Sequence, residues 1–114
     1  MKINKASKVL LLVAIVVLLN GCGNSNSNSK AEFKVWGNCG MCEETIEGSL
    51  KVDGVSDADW NTETKIMKVS FDSTKINLDQ IQKKIADIGY DNDKYKADSL
   101  VYSKLHECCQ YERK

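Results

Sequence analysis

The feature that most constrains the fold of this chain is an ordered series of strand-like and helix-like patterns in its second half. Strand-like segments alternate polar and apolar residues, whereas helix-like segments repeat apolar residues every three or four positions. In chain order they are a strand at 32–37, a helix at 42–51, strands at 55–62 and 65–72, a helix at 78–88 and a weak strand at 91–97. The chain therefore contains a β-α-β-β-α-β unit.

The helix-like segments carry their own boundary signals. The first places Cys42, Ile46 and Leu50 on one face at intervals of four residues. The second begins after Asn77, a good N-cap residue, and ends at Gly89, where a left-handed residue is favoured. We expect an α+β, ferredoxin-like βαββαβ sandwich, with two helices on one face of a four-stranded antiparallel sheet and a short C-terminal helix beyond it.

The beginning of the chain has the layout of an export signal. Three lysines at 2–8 precede an unbroken apolar run at 9–19, and small or polar residues follow at 20–22. The run is shorter than the roughly 20 residues that span a bilayer. A membrane-anchor helix is the alternative interpretation of this segment.

The end of the apolar run, LLNGC, resembles the lipobox of bacterial lipoproteins, with Leu19, Gly21 and Cys22 in the matching positions. The resemblance implies that residues 1–21 are a lipoprotein signal peptide and that Cys22 is lipidated. We expect residues 22–31 to be a flexible tether rich in Asn and Ser. The protein would then be lipid-anchored to a membrane of the cell envelope, facing the periplasm or the exterior.

The charge of the chain gives no case for nucleic-acid binding. The full sequence has 16 basic and 16 acidic residues, and removal of residues 1–21 takes away three lysines, which leaves a net charge of about −3. No strongly basic segment is present. We therefore expect no nucleic-acid partner.

Residues 32–91 resemble the heavy-metal-associated domain, a family of copper chaperones, modules of copper-exporting ATPases and periplasmic mercury-binding proteins. The resemblance includes the CGMC loop, the Gly54-Val55 turn, the hairpin at 61–64 and the closing Ile-Gly-Tyr at 88–90. It implies a heavy-metal-associated domain at 32–97, a monomer, and a metal transporter or efflux protein as partner. Before the first cysteine, where the family usually has Gly-Met-Thr, this chain has Trp-Gly-Asn at 36–38.

The resemblance also implies how the residues around the loop are used. It makes Cys39 and Cys42 the metal ligands and the neighbouring residues their support. The expected supporting residues are Asn38, Gly40, Met41 and Tyr90.

The chemistry of the two cysteines agrees with a metal site. Thiolates are soft ligands that suit Cu(I), Hg(II) and Zn(II). A helix N-terminus stabilises an anion, and Cys42 is placed in the first turn of the predicted helix. Because Zn(II) prefers four ligands, two thiolates favour Cu(I) first, with Hg(II) or Zn(II) as alternatives.

Other uses of the CGMC pair remain open. A thiol-disulfide oxidoreductase of the cell envelope also uses a C-G-x-C sequence, but its fold relies on a cis-proline and this chain has no proline. A structural disulfide in an adaptor lipoprotein is the third interpretation. Because no phosphate loop or nucleophile-base set is recognisable, we expect a binding protein and not an enzyme.

The C-terminal extension at 98–114 raises a further question. Asp98 or Ser99 can cap a helix on which His106 and Cys109 share a face and Cys108 is turned away by about 100°. His106, Cys108 and Cys109 could complete the CGMC site, form a second site or form disulfides. A plain docking helix with a solvated histidine is the alternative.

Overall fold

A computed structural model describes residues 28–113, which form one α+β unit. Its strands are β1 (Asn28–Lys34), β2 (Val55–Trp60) and β3 (Ile66–Asp72); its helices are α1 (Gly40–Ser49), α2 (Leu78–Asp87) and α3 (Ser99–Ser103), followed by a 3₁₀ turn (Glu107–Cys109). The predicted signal peptide, Cys22 and most of the predicted tether lie outside the described residues. Within residues 28–113, no helix is long and apolar enough to cross a membrane.

The sheet is antiparallel, in the order β1-β3-β2, and its inner face forms the core. As predicted, Met67, Val69 and Phe71 of the central strand β3 are buried. Their alternation fixes the register, since a slip of one residue would turn the apolar side chains to solvent. Strand β1 begins at Asn28, inside the segment predicted as a tether, because residues 28–31 pair with the far end of β3.

The helix signals are confirmed. Asn77 caps α2 through a reciprocal capping box with Gln80, in which each side chain accepts a hydrogen bond from the other residue's backbone N–H. Ile81 and Ile85 of this helix are fully buried in the core. Gly89 has φ of +108°, the left-handed conformation expected just after a helix.

The predicted fourth strand at 91–97 is reduced to a single bridge between Val35 and Asn92, so the described sheet has three strands. The Asn92 side chain explains the early end of this pairing. Its Oδ1 accepts hydrogen bonds from the backbone N–H groups of Lys94 and Tyr95, both at 3.1 Å, and this turns the chain away.

The prediction of one helix through the HECC segment is wrong. Asp98 caps α3 as expected, with its Oδ1 accepting from Leu100 N at 2.8 Å, but the helix ends at Ser103. Cys109 lies in the separate 3₁₀ turn, and His106 precedes that turn with an extended ψ of 145°. His106 and Cys109 therefore do not share a helix face.

Candidate metal centre

The CGMC loop lies at the N-terminus of α1. Cys39 is the N-cap residue, with extended backbone angles and a half-buried side chain. Cys42 lies in the first turn, and its side chain is fully buried in the core. The free N–H groups of a helix start carry partial positive charge, so this position favours thiolate over thiol.

Trp60, which sequence analysis did not single out, supports the loop from below. Its buried ring lies beneath Gly37, where an added Cβ would come within 2.9 Å of the ring carbon Cη2. The indole Nε1 donates to the carbonyl of Val35 at 3.1 Å. Residue 37 must therefore stay small for the chain to cross this ring and reach Cys39.

The C-terminal extension places two further thiols at the loop. The Sγ atoms of Cys39, Cys108 and Cys109 all lie within 4.8 Å of one another, and each residue offers one sulfur to a shared ion. Asn38 holds the two segments together, since its Nδ2 donates to the carbonyl of Cys108 at 3.1 Å. Asn38 thus links the CGMC loop to the C-terminal extension.

Cys42 is not one of these three thiols; it lies on the buried side of the group, where its thiol contacts that of Cys109. Burial alone would raise the pKa of the Cys42 thiol, but hydrogen bonds from Cys109 and from the loop backbone, together with the nearby Tyr90 hydroxyl, outweigh it, so its pKa is lowered. Burial raises the pKa of Cys109, and the neighbouring Cys42 raises it further. Cys42 therefore loses its proton before Cys109 does.

Tyr90 completes the buried side of the cluster. Its ring is fully buried, and its hydroxyl has no satisfactory hydrogen-bond partner among the described residues. The polar groups beside this hydroxyl are the thiols of Cys42 and Cys109, and burial together with these thiols raises the pKa of Tyr90. Tyr90 is thus a neutral donor next to two sulfur atoms.

The remaining predicted residues divide into two groups. The Met41 thioether contacts the outer thiol of the cluster, with Sδ 3.5 Å from the Sγ of Cys108. Gly40 faces open space, because a Cβ built there would have no atom within 4 Å. His106 is exposed and is not among the residues grouped around the three sulfur atoms.

A buried clamp, also missed by sequence analysis, fixes the extension. Tyr111 is buried, its Oη donates to the Gly89 carbonyl and accepts from Asp91 N, both at 2.8 Å, and its ring stacks on Tyr90 with centroids 5.8 Å apart. Arg113 donates to both carboxylate oxygens of Asp91, at 2.8 and 3.0 Å. Cys109 is thereby held two residues before an anchored ring.

Comparisons with known proteins find relatives of the part of the chain that carries the CGMC loop. Residues 38–91 match the family model described as the heavy-metal-associated domain. The chain is 39% identical over 54 residues to the copper chaperone CopZ of Staphylococcus aureus, which is 46% of this chain and 79% of that protein.

Two solved structures share the fold. MerP from Ralstonia metallidurans, solved in its oxidized state, has a TM-score of 0.55 at 32% identity, and the match covers 58% of this chain and 94% of the MerP chain. The N-terminal domain of a potential copper-translocating P-type ATPase from Bacillus subtilis, solved in the Cu(I)-loaded state, has a TM-score of 0.54 at 27% identity, with coverage of 57% and 84%.

Proposed function

Because this chain belongs to the heavy-metal-associated domain family, we propose that it is a heavy-metal carrier that binds Cu(I) through Cys39 and Cys42. The observation that carries the proposal is the position of both thiols at the N-terminus of α1. The lowered pKa of Cys42 favours the thiolate that a soft metal requires. In this account the metal is cargo, and the protein binds it without catalysing a reaction.

The partial exposure of the site suits transfer of the metal. Cys39 is half-buried and Cys108 is exposed, so thiols of a partner can approach the ion from this side. A metal transporter or efflux protein is the partner we propose, and the similarity to a domain of a potential copper-translocating ATPase supports it. The same site would serve equally well to buffer the metal as part of metal resistance.

The proposed location is the cell envelope. The apolar run at 9–19 and the LLNGC sequence support an exported chain anchored by lipid on Cys22. Such an anchor would keep the domain beside a membrane transporter. Mass spectrometry of the protein from its native membrane tests this, since an unmodified Cys22 would contradict the anchor.

The choice of metal follows from the ligands. Cu(I) accepts two or three soft sulfur ligands, and the similarity to a copper chaperone supports it. Hg(II) has similar preferences, and the similarity to MerP makes it the second candidate. Zn(II) prefers four ligands, two more than Cys39 and Cys42 supply, and is the weakest of the three for this pair.

Competition between metals tests the proposal. The full chain carrying Cys22→Ser would be reduced without oxygen, kept in mild detergent and offered equal amounts of Cu(I), Hg(II) and Zn(II). Native mass spectrometry should show a tightly bound Cu(I) that is lost in Cys39→Ser.

His106→Gln is the matched control, because His106 is exposed and lies outside the group of thiols. The metal content of this variant should equal that of the parent chain. Preferential binding of Hg(II) over Cu(I) would identify Hg(II) as the metal carried and would still support a carrier function. Binding of none of the three metals by the reduced chain would overturn the proposal.

A further inference from the structure

We infer that the C-terminal extension is part of the metal centre: Cys108 and Cys109 bind the same ion as Cys39, and a two-thiol loop becomes a closed centre with at least three thiolate ligands. This inference rests on the proposed function and adds to it the coordination of the ion and the segment that retains it. Three features of the described residues support it, namely sulfur spacing, an unpartnered hydroxyl and the fixed position of the extension.

The sulfur spacing is that of a shared ion. Metal–sulfur bonds of about 2.3 Å separate two ligating sulfurs by about 3.8 Å in a tetrahedral centre and about 4 Å in a trigonal one. The Sγ atoms of Cys39, Cys108 and Cys109 all lie within 4.8 Å of one another, so small rotations about χ1 bring them to these distances. Cys42 adjoins them through its contact with Cys109.

The unpartnered hydroxyl of Tyr90 indicates that the neighbouring thiols of Cys42 and Cys109 are thiolates in the functional state of the site. A buried donor without an acceptor is costly, and a neutral thiol is a weak acceptor. The groups beside this hydroxyl are the sulfur atoms of Cys42 and Cys109. When a metal displaces the thiol protons, these sulfurs become thiolates, which are far better acceptors for the Tyr90 hydroxyl.

The extension is held in place by contacts between protein groups alone. Tyr111 packs on Tyr90, and Arg113 forms a two-point ion pair with Asp91 whose side chains are only 16% and 10% exposed. On the loop side, Asn38 binds the carbonyl of Cys108. Ligands that are already positioned lose little entropy on binding, so the extension should strengthen metal retention.

The position of each thiol suggests how the ion leaves. Cys109 is 3% exposed, whereas Cys108 is exposed and its Sγ lies 3.5 Å from the thioether of Met41. An incoming thiol can therefore displace Cys108 first, while Cys39 and Cys109 still hold the ion. Loss of the extension thiols should speed transfer and weaken retention.

X-ray absorption at the copper edge tests the inference on the full chain carrying Cys22→Ser and one equivalent of Cu(I). We expect at least three sulfur neighbours in this parent chain and two in the variant that also carries Cys108→Ser and Cys109→Ala. A Cu(I)-specific chelator should compete at least about tenfold better against that variant. Alanine at 109 is chosen because the site is buried, and circular dichroism checks that the variant remains folded.

The single variant Cys108→Ser separates metal binding from folding, because this side chain is exposed and its replacement leaves the core intact. It should accelerate removal of copper by the chelator, whereas the control His106→Gln should not. Two sulfur neighbours in the parent chain, with chelator competition unchanged in both cysteine variants, would overturn this inference and leave the CGMC carrier standing. If the parent chain bound no Cu(I), the proposed function and this inference would both fail.

Discussion

At the scale of single residues, the centre combines a thiol of lowered pKa (Cys42), a thiol of raised pKa (Cys109) and the buried hydroxyl of Tyr90. Cys42 has a lowered pKa and Cys109 a raised one, although their side chains touch, because the start of α1 supplies donors to Cys42 while Cys109 is buried without such donors. Tyr90 lies beside both thiols, and its hydroxyl has no hydrogen-bond partner within residues 28–113. This arrangement is unfavourable for the metal-free protein and favourable once the sulfurs are thiolates.

The substitution Tyr90→Phe should therefore act differently on the two forms. In the metal-free protein the free energy of unfolding should stay the same or rise by about 1 kcal/mol, because a buried unsatisfied hydroxyl is removed. Metal affinity should fall. Urea unfolding with and without Cu(I) measures both effects.

Tyr102→Phe is the matched control, because the Tyr102 hydroxyl has a partner. It donates to the carbonyl of Tyr111 at 2.5 Å, so its loss should destabilise the metal-free protein by about 1 kcal/mol. Equal destabilisation by both substitutions would show that the Tyr90 hydroxyl is satisfied without a metal.

At the scale of elements, the two long helices begin in different ways. Helix α2 has a complete capping box at Asn77 and Gln80. The N-cap residue of helix α1 is Cys39, whose side chain forms no capping hydrogen bond. The N–H groups at the start of α1 thus remain available to stabilise thiolates.

Asn77→Ala should lower the free energy of unfolding by about 1 kcal/mol, since the side-chain cap of α2 is lost. Metal affinity should not change, because the site is at the other helix. Thermal unfolding and chelator competition on the same sample measure the two quantities. A large fall in affinity would show that α2 and the metal loop are coupled.

The sequence predicted these elements well where the signals are local. Apolar spacing in α2 and β3 and the cap at Asn77 depend on neighbours within a few residues, and all were confirmed. The fourth strand failed because a side-chain turn at Asn92 competes with backbone pairing. The contact of Asn38 with Cys108 joins residues 70 positions apart, and no periodicity in the sequence indicates it.

At the scale of the whole molecule, the α+β domain and its C-terminal extension meet around the CGMC loop. The buried pair of Asp91 and Arg113 fastens the end of the chain to the segment just after Gly89. Burial alone would raise the pKa of Asp91, but hydrogen bonds from Arg113 and from Ala97 N hold that pKa below its usual value. Docking of the extension should therefore depend on pH.

A depressed carboxyl pKa in the folded state stabilises the protein fully above the unfolded-state value of about 4. That stability is lost as the pH falls through the lower folded-state pKa. Asp91→Asn should cost about 2 kcal/mol at pH 7 and remove this acid-dependent loss. Urea unfolding from pH 7 to pH 2 measures it, and an unchanged acid slope in the variant would assign the effect to other carboxylates.

The central claim, a soft metal held by thiolates at the N-terminus of α1, is tested most directly by amide NMR of the reduced, ¹⁵N-labelled chain carrying Cys22→Ser. One equivalent of Cu(I) is added without oxygen, and the hairpin at 61–64 is the internal reference. We predict large shifts at residues 38–43 and 107–111 and little change in the hairpin. Shifts confined to other parts of the domain, or no shifts at all, would contradict the claim.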